Sequence, residues 1–208
     1  MINDKYALAL HTTTPQLGIA LDNFLGDRRD RVWDLGRDLS AHLHQHLQEI
    51  LAPQTWQDLA FIAVAKGPGG FTGTRIGVVV ARTIAQQLNI PLFGISTLAA
   101  AAHWTKPSDS KELLAIQMKA RQNQLFVAIY QPNGDRPGLT TYLEDAIASE
   151  ESWQQTLARL NSPYKLIKAD DNLAITVNSV LDLAYERWKQ GDRPSWSEIL
   201  PFYGQNPV

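Results

Sequence analysis

The 208 residues contain no cysteine. Disulfide frameworks, thiolate metal sites and cysteine nucleophiles are therefore excluded, and the chain suits a reducing compartment. No apolar run approaches the roughly 20 residues that a membrane-spanning helix needs. The first five residues, Met-Ile-Asn-Asp-Lys, run straight into a strand-like stretch without the charged and apolar regions of a secretory leader. Neither insertion nor secretion is expected, and the cytoplasm is the expected location. Charge surplus is also missing: 19 Lys and Arg face 21 Asp and Glu, a formal net charge of -2. A chain so balanced lacks the basic excess that gives autonomous affinity for nucleic acid, so any RNA contact would depend on a partner. What is present is apolar content, 44% of residues, enough for one large domain or two small ones.

The apolar pattern divides the chain. Tyr6 to Leu10 and Leu17 to Leu21 read as paired strands, and Asp27 to Leu35, charged but carrying Val32, Trp33 and Leu35, as an edge-like third. From Ser40, Leu43, Leu47, Ile50 and Leu51 recur at helical spacing until Pro53 stops the run. Phe61 to Ala65 predicts a buried strand, Thr72 to Leu88 a helix, Pro91 to Ile95 a strand, and Ser96 caps a helix through His103. The order β-β-β-α-β-α-β-α predicts an α/β fold: a mixed five-stranded sheet flanked by helices, shared by ribonuclease H-like and actin-like domains. The polar stretch Thr105 to Lys111 predicts a linker, dividing a first lobe, 1–105, from a shortened second lobe, 106–208. In that lobe Leu113 to Met118 and Gln124 to Tyr130 pair, and Pro132 to Asp135 turns. Trp153 to Leu160, Tyr164 to Ile167 and Leu173 to Trp188 follow as helix, strand and helix. Whether the tail Leu200 to Tyr203 returns to the first lobe is left open.

The densest signal is the glycine-rich turn between strand and helix: Gly67, Pro68, Gly69, Gly70, Phe71, Thr72, Gly73 and Arg75. Glycine permits left-handed φ and close approach, Pro68 stiffens the turn, and Thr72 can accept hydrogen bonds from the helix's first amides. A free helix N-terminus attracts anions, yet a tight strand-to-helix turn needs glycine for steric reasons alone, and no Gly-Lys-Ser/Thr ends it as in a phosphate-binding Walker loop. The structural reading outweighs the anion site. Within the helix Gly73, Gly77, Ala81 and Ala85 form a groove of small side chains, and Ile76, Val80, Ile84 and Leu88 a separate stripe suited to the sheet. The groove then awaits either the first helix or another chain.

Other constellations read as structural. His42 and His46 share one helix face at i, i+4 but have no third ligand in view, so a polar, partly exposed face outweighs zinc. The neighbours Glu144 and Asp145, Glu150 and Glu151, and Asp170 and Asp171 point apart and read as solvated surface. Ser40 and Ser96 lack a G-x-S-x-G setting, so no nucleophilic triad can be argued.

The run from Ala63 through the glycine turn to Gly77, with Pro91-Leu92-Phe93-Gly94-Ile95-Ser96-Thr97-Leu98, closely resembles the TsaB (YeaZ) family, glycoprotease-like proteins of tRNA threonylcarbamoyladenosine biosynthesis on the actin-like ATPase fold. Ala7 to Thr14 is similar to that family's opening strand and turn, Ala120-Arg121 to a second-lobe motif, and Pro201-Phe202-Tyr203 to its closing signature. The resemblance covers most of residues 6–130. It implies a non-catalytic scaffold that binds and stabilises TsaD, which transfers threonylcarbamoyl to adenosine 37 of tRNA. TsaE is the third component, a homodimer forms when TsaD is absent, and tRNA is met only through the complex.

The resemblance places the partner interface on Ser40 to Leu51 and Thr72 to Leu88, with Leu43, Leu47, Gly73, Gly77, Ala81 and Ala85 as its candidate residues. It implies no intrinsic cofactor, with ATP or ADP at the partner interface as the alternative and Thr12, Thr13, Gly69 and Gly70 as the candidate phosphate contacts. Departures weigh against catalysis: His11 stands where the family has Asp, and a neutral imidazole cannot replace a carboxylate for magnesium. Gln117 replaces another Asp, Gly204 an Arg, and residues 131–170 are shortened. The competing readings are an actin-like ATPase or phosphotransferase using the inter-lobe cleft, and a homodimeric interaction module unconnected with tRNA.

Overall fold

The computed structural model describes residues 5–105, 112–134 and 138–204. The first sheet is built from β1 (Tyr6–His11), β2 (Gln16–Asp22), β3 (Arg28–Asp34), β4 (Leu59–Ala65) and β5 (Leu92–Ile95), in the order β3-β2-β1-β4-β5. β1, β2 and β3 are antiparallel neighbours, whereas β4 and β5 join β1 in parallel. Leu8 and Leu10 of β1 point to one face, where α1 (Leu39–Leu51) and α2 (Phe71–Leu88) cover them. Ala7 and Ala9 point to the other, where α5 (Val177–Lys189) packs through Val180 against Phe61 and Phe93. Phe61 anchors that layer, edge-on to Phe93 with ring centroids 5.1 Å apart and stacked on Trp188 at 5.0 Å. This is the actin-like arrangement expected from the element order.

The second sheet comprises β6 (Leu113–Lys119), β7 (Gln124–Pro132), β8 (Leu139–Ser149) and β9 (Tyr164–Ala169), in the order β8-β7-β6-β9. Its pairings repeat those of the first sheet: β6 and β7 and then β7 and β8 are antiparallel, and β6 and β9 are parallel. No counterpart of β5 follows β9 among the described residues. α4 (Glu150–Ala158) covers this sheet through Trp153 and Leu157, and α3 (Thr97–Thr105) fills the space between the sheets with Leu98, Ala101 and Ala102. β8 was not anticipated, because Leu139 to Ser149 is mostly half-exposed and the pairing shifts register against β7.

α5 follows β9 yet docks on the first sheet, and the tail returns with it: Leu92 N donates to Pro194 O at 3.3 Å and Phe202 N to Lys66 O at 2.7 Å. Residues 106–111 of the expected linker, Asp135 of the expected turn and the first four residues lie outside the described residues.

α2 reverses one expectation. Gly77, Ala81 and Ala85 face inward and are buried, while Ile76, Val80, Ile84 and Leu88 are only partly buried at the edge of the same core. The small residues are needed because β1 continues beneath the helix. A methyl group on Gly77 would collide with Thr12 Oγ1, and one on Gly73 with Thr12 O. Thr12 Oγ1 in turn donates to Gly73 O at 2.8 Å. The glycine end of the groove is thus filled by the chain's own first turn, while Ala81 and Ala85 join the core that α1 also enters. Thr72 is exposed within the helix and no side chain caps it, Gly70 being the N-cap. At the other end Asn89 adopts φ 52°, a left-handed stop.

Candidate functional site

The sequence folds the turns after β1 and β4 against each other. Gly70 N donates to Thr13 O at 2.7 Å, and a side chain on Gly69 would overlap that same carbonyl, so the glycines are required by backbone-to-backbone contact. Thr97 clamps the pair from α3, its N donating to Gly67 O at 2.9 Å and its Oγ1 to Thr13 Oγ1 at 3.1 Å.

These two turns form one wall of an inter-lobe cleft of about 1250 Å³, which faces the β6–β7 hairpin from Met118 to Gln124. Thr12, Thr13, Gly69 and Gly70, the four candidate phosphate contacts, all line it. Arg37, Lys119 and Arg121 also line it, against one acid, Asp171. The first amides of α2 open onto this space without a side-chain cap, so its electrostatics favour an anion. The hydroxyls of Thr12 and Thr13 are already engaged within the chain.

His11 lies elsewhere. It shares the strand face of Ala7 and Ala9, away from Thr12, and is fully buried with neither ring nitrogen hydrogen-bonded. Burial lowers its pKa to about 3, so the imidazole is neutral. No cluster of three or more His, Asp or Glu side chains able to hold a metal occurs among the described residues. His46 instead stacks on Trp33 at 4.3 Å and sits 3.0 Å from Glu49.

A part-buried polar group that the sequence did not reveal joins the lobes. The Tyr130 hydroxyl donates to Asp145 Oδ1 at 2.8 Å and lies 3.2 Å from Ser96 Oγ, which also accepts the Leu98 and Ala99 amides and so caps α3. Burial raises the pKa of both Tyr130 and Asp145. Asp145 therefore corrects the reading of Glu144-Asp145 as solvated surface: where β8 shifts register against β7, Glu144 is left exposed and Asp145 turns inward to Tyr130.

The family model described as TsaD, tRNA N6-adenosine threonylcarbamoyltransferase, matches residues 35–179. The tRNA threonylcarbamoyladenosine biosynthesis protein TsaB of Bacillus subtilis is 31% identical over 171 residues, 80% of this chain and 72% of that protein. The chain belongs to the TsaB family. The Escherichia coli TsaB protein is 32% identical over a shorter match of 128 residues, 60% of this chain and 54% of that one. YeaZ from Pseudomonas aeruginosa shares the fold with a TM-score of 0.77 at 22% identity, covering 96% of this chain and 99% of that one.

For a TsaB-family chain, the interface residues that the resemblance implied need correction. Leu43 and Leu47 are 1% and 0% exposed in the core, and Gly77, Ala81 and Ala85 are equally enclosed, so none of these side chains reaches the surface. What α2 presents is Val79, 52% exposed, with Arg75 and Thr83 and the half-buried Ile76 and Val80. α1 presents Ala41, His42, Gln45 and Gln48. The error had one source: glycine and alanine mark close approach without saying to what. Val79 lies on neither the small nor the branched stripe of α2, and that position is the signal that could have located the outer face.

Proposed function

We propose that this chain is a non-catalytic accessory subunit of tRNA threonylcarbamoyladenosine biosynthesis, acting in the cytoplasm and binding a TsaD-type transferase through the outer face of α1 and α2. Its TsaB relatives are named for that biosynthesis. The single observation that carries the interface is the apolar strip of α2, with Val79 exposed between the half-buried Ile76 and Val80 on the sheet face that α1 shares. In this reading TsaE joins the heteromer, a second copy covers the same face when the transferase is absent, and the partner holds the tRNA. The neutral His11, enclosed away from the cleft, supports an accessory rather than a metal-dependent catalytic role.

Light scattering on this protein mixed with the TsaD of the same organism tests the reading, with Val79→Glu as the variant and Tyr142→Glu as an exposed control. A heteromer lost only in Val79→Glu supports the function and the interface together. A heteromer indifferent to Val79→Glu keeps the function and moves the surface. No association under any nucleotide condition overturns the proposal.

The cleft favours one second reading, a nucleotide site at the partner interface, because the threonine and glycine turns share it with Lys119 and Arg37. Calorimetric titration with ADP would then show binding that Lys119→Ala weakens. Magnesium-dependent ATP turnover by the isolated chain would go further and make it an actin-like ATPase.

A further inference from the structure

The two sheets are built alike up to a point: β6, β7, β8 and β9 correspond in order and direction to β1, β2, β3 and β4. In the first sheet β5 then pairs in parallel with β4, and α2 covers the pair. In the second sheet the helix that follows β9 leaves for the first sheet, and the outer edge of β9 is unpaired among the described residues. The strand Tyr164-Lys165-Leu166-Ile167-Lys168-Ala169 is exposed in the way this vacancy requires: Tyr164 is 40% and Leu166 37% exposed, and both lysines are exposed. Tyr164 and Leu166 lie opposite Leu113 and Ala115, on the face that α4 covers further along the sheet over β7 and β8.

We infer that the outer edge of β9 receives an extended, acidic segment of a partner protein as a fifth strand of the second sheet. Main-chain hydrogen bonds would supply the pairing, Tyr164 and Leu166 an apolar contact for alternate side chains, and Lys165 on the opposite face with Lys168 at the end of the same face the selection for carboxylates. The strand itself carries two positive charges and no negative one. Charge decides against a second copy, because pairing β9 with β9 would set lysine against lysine along the edge. One edge strand of the other sheet is protected differently: β3 has charged residues at five of its seven positions, Arg28 to Arg31 and Asp34, and leaves Val32 and Trp33 half-buried. β9 instead shows apolar surface. This surface is separate from the α1–α2 face and does not depend on the function proposed for it.

Amide hydrogen exchange on the whole protein tests the inference, using a capped hexapeptide of alternating glutamate and valine and its lysine–valine counterpart as probes. The acidic peptide should slow exchange of the β9 amides at least tenfold, the basic one should not, and added salt should weaken the effect. The double variant Lys165→Glu, Lys168→Glu, both exposed positions, should reverse the preference while leaving Tm unchanged. No protection of β9 with millimolar acidic peptide, equal protection by both peptides, or concentration-dependent protection without peptide would overturn it, the last by putting a second copy on the edge.

Discussion

Gly77 and Thr12 are distant in sequence and share one volume in the structure. Forcing a methyl group into that volume should cost about 1–3 kcal/mol, the range for overpacked cores. Urea denaturation should therefore show Gly77→Ala destabilised. The double variant with Thr12→Ala should be less destabilised than the two single changes summed, since the colliding hydroxyl is gone. His11 makes a second prediction at this scale. Its folded pKa of about 3 lies below the 6.5 of the free side chain, so the unfolded chain binds the extra proton between those values. Stability should rise with pH through that window and fall as the solution is acidified from pH 6.5, ultimately by on the order of 5 kcal/mol. His11→Leu should remove this part of the slope without weakening the protein at pH 7, because two unpartnered buried nitrogens disappear with the imidazole.

Among the elements, α3 depends most on one side chain. Ser96 Oγ accepts two amides of its first turn and touches the Tyr130 hydroxyl, so it fixes both the start of the helix and its position between the sheets. A lost cap costs about 1 kcal/mol, and Ser96→Ala should exceed that because the Tyr130 contact goes too; thermal unfolding measures it. α2 shows why element identity was readable and orientation was not. Its periodicity and the glycine turn mark a helix. Two faces then compete for the sheet, one small and one branched, and a helical wheel favours the branched one. The small face won because the chain after β1 runs close beneath the helix, where only glycine fits.

At the scale of the whole molecule, the lobes meet through α3, the returning α5 and the Tyr130–Asp145–Ser96 group. Burial raises the pKa of Asp145, so the folded state prefers its proton, and its contribution to stability is full at low pH and lost as pH rises through the folded pKa. Asp145→Asn keeps an acceptor for Tyr130 without the buried charge. That variant should equal or exceed the parent in denaturant midpoint at pH 7–8, and the difference should shrink as pH falls toward 4.

The sequence by itself determined the element order of the first lobe, the glycine turn, the buried strands and the family, because each is written in local spacing or in a contiguous motif. It did not reveal β8, whose half-exposed residues carry no clean alternation, nor the inward turn of Asp145 beside the exposed Glu144. Only the tertiary structure decided that Thr12, Thr13, Gly69 and Gly70 share a cleft with Lys119, that Leu43 and Leu47 belong to the core and Val79 to the surface, and that α5 crosses back. The physical reason is common to all of these. Local periodicity says that a face is buried, whereas what buries it depends on contacts between residues far apart in the chain.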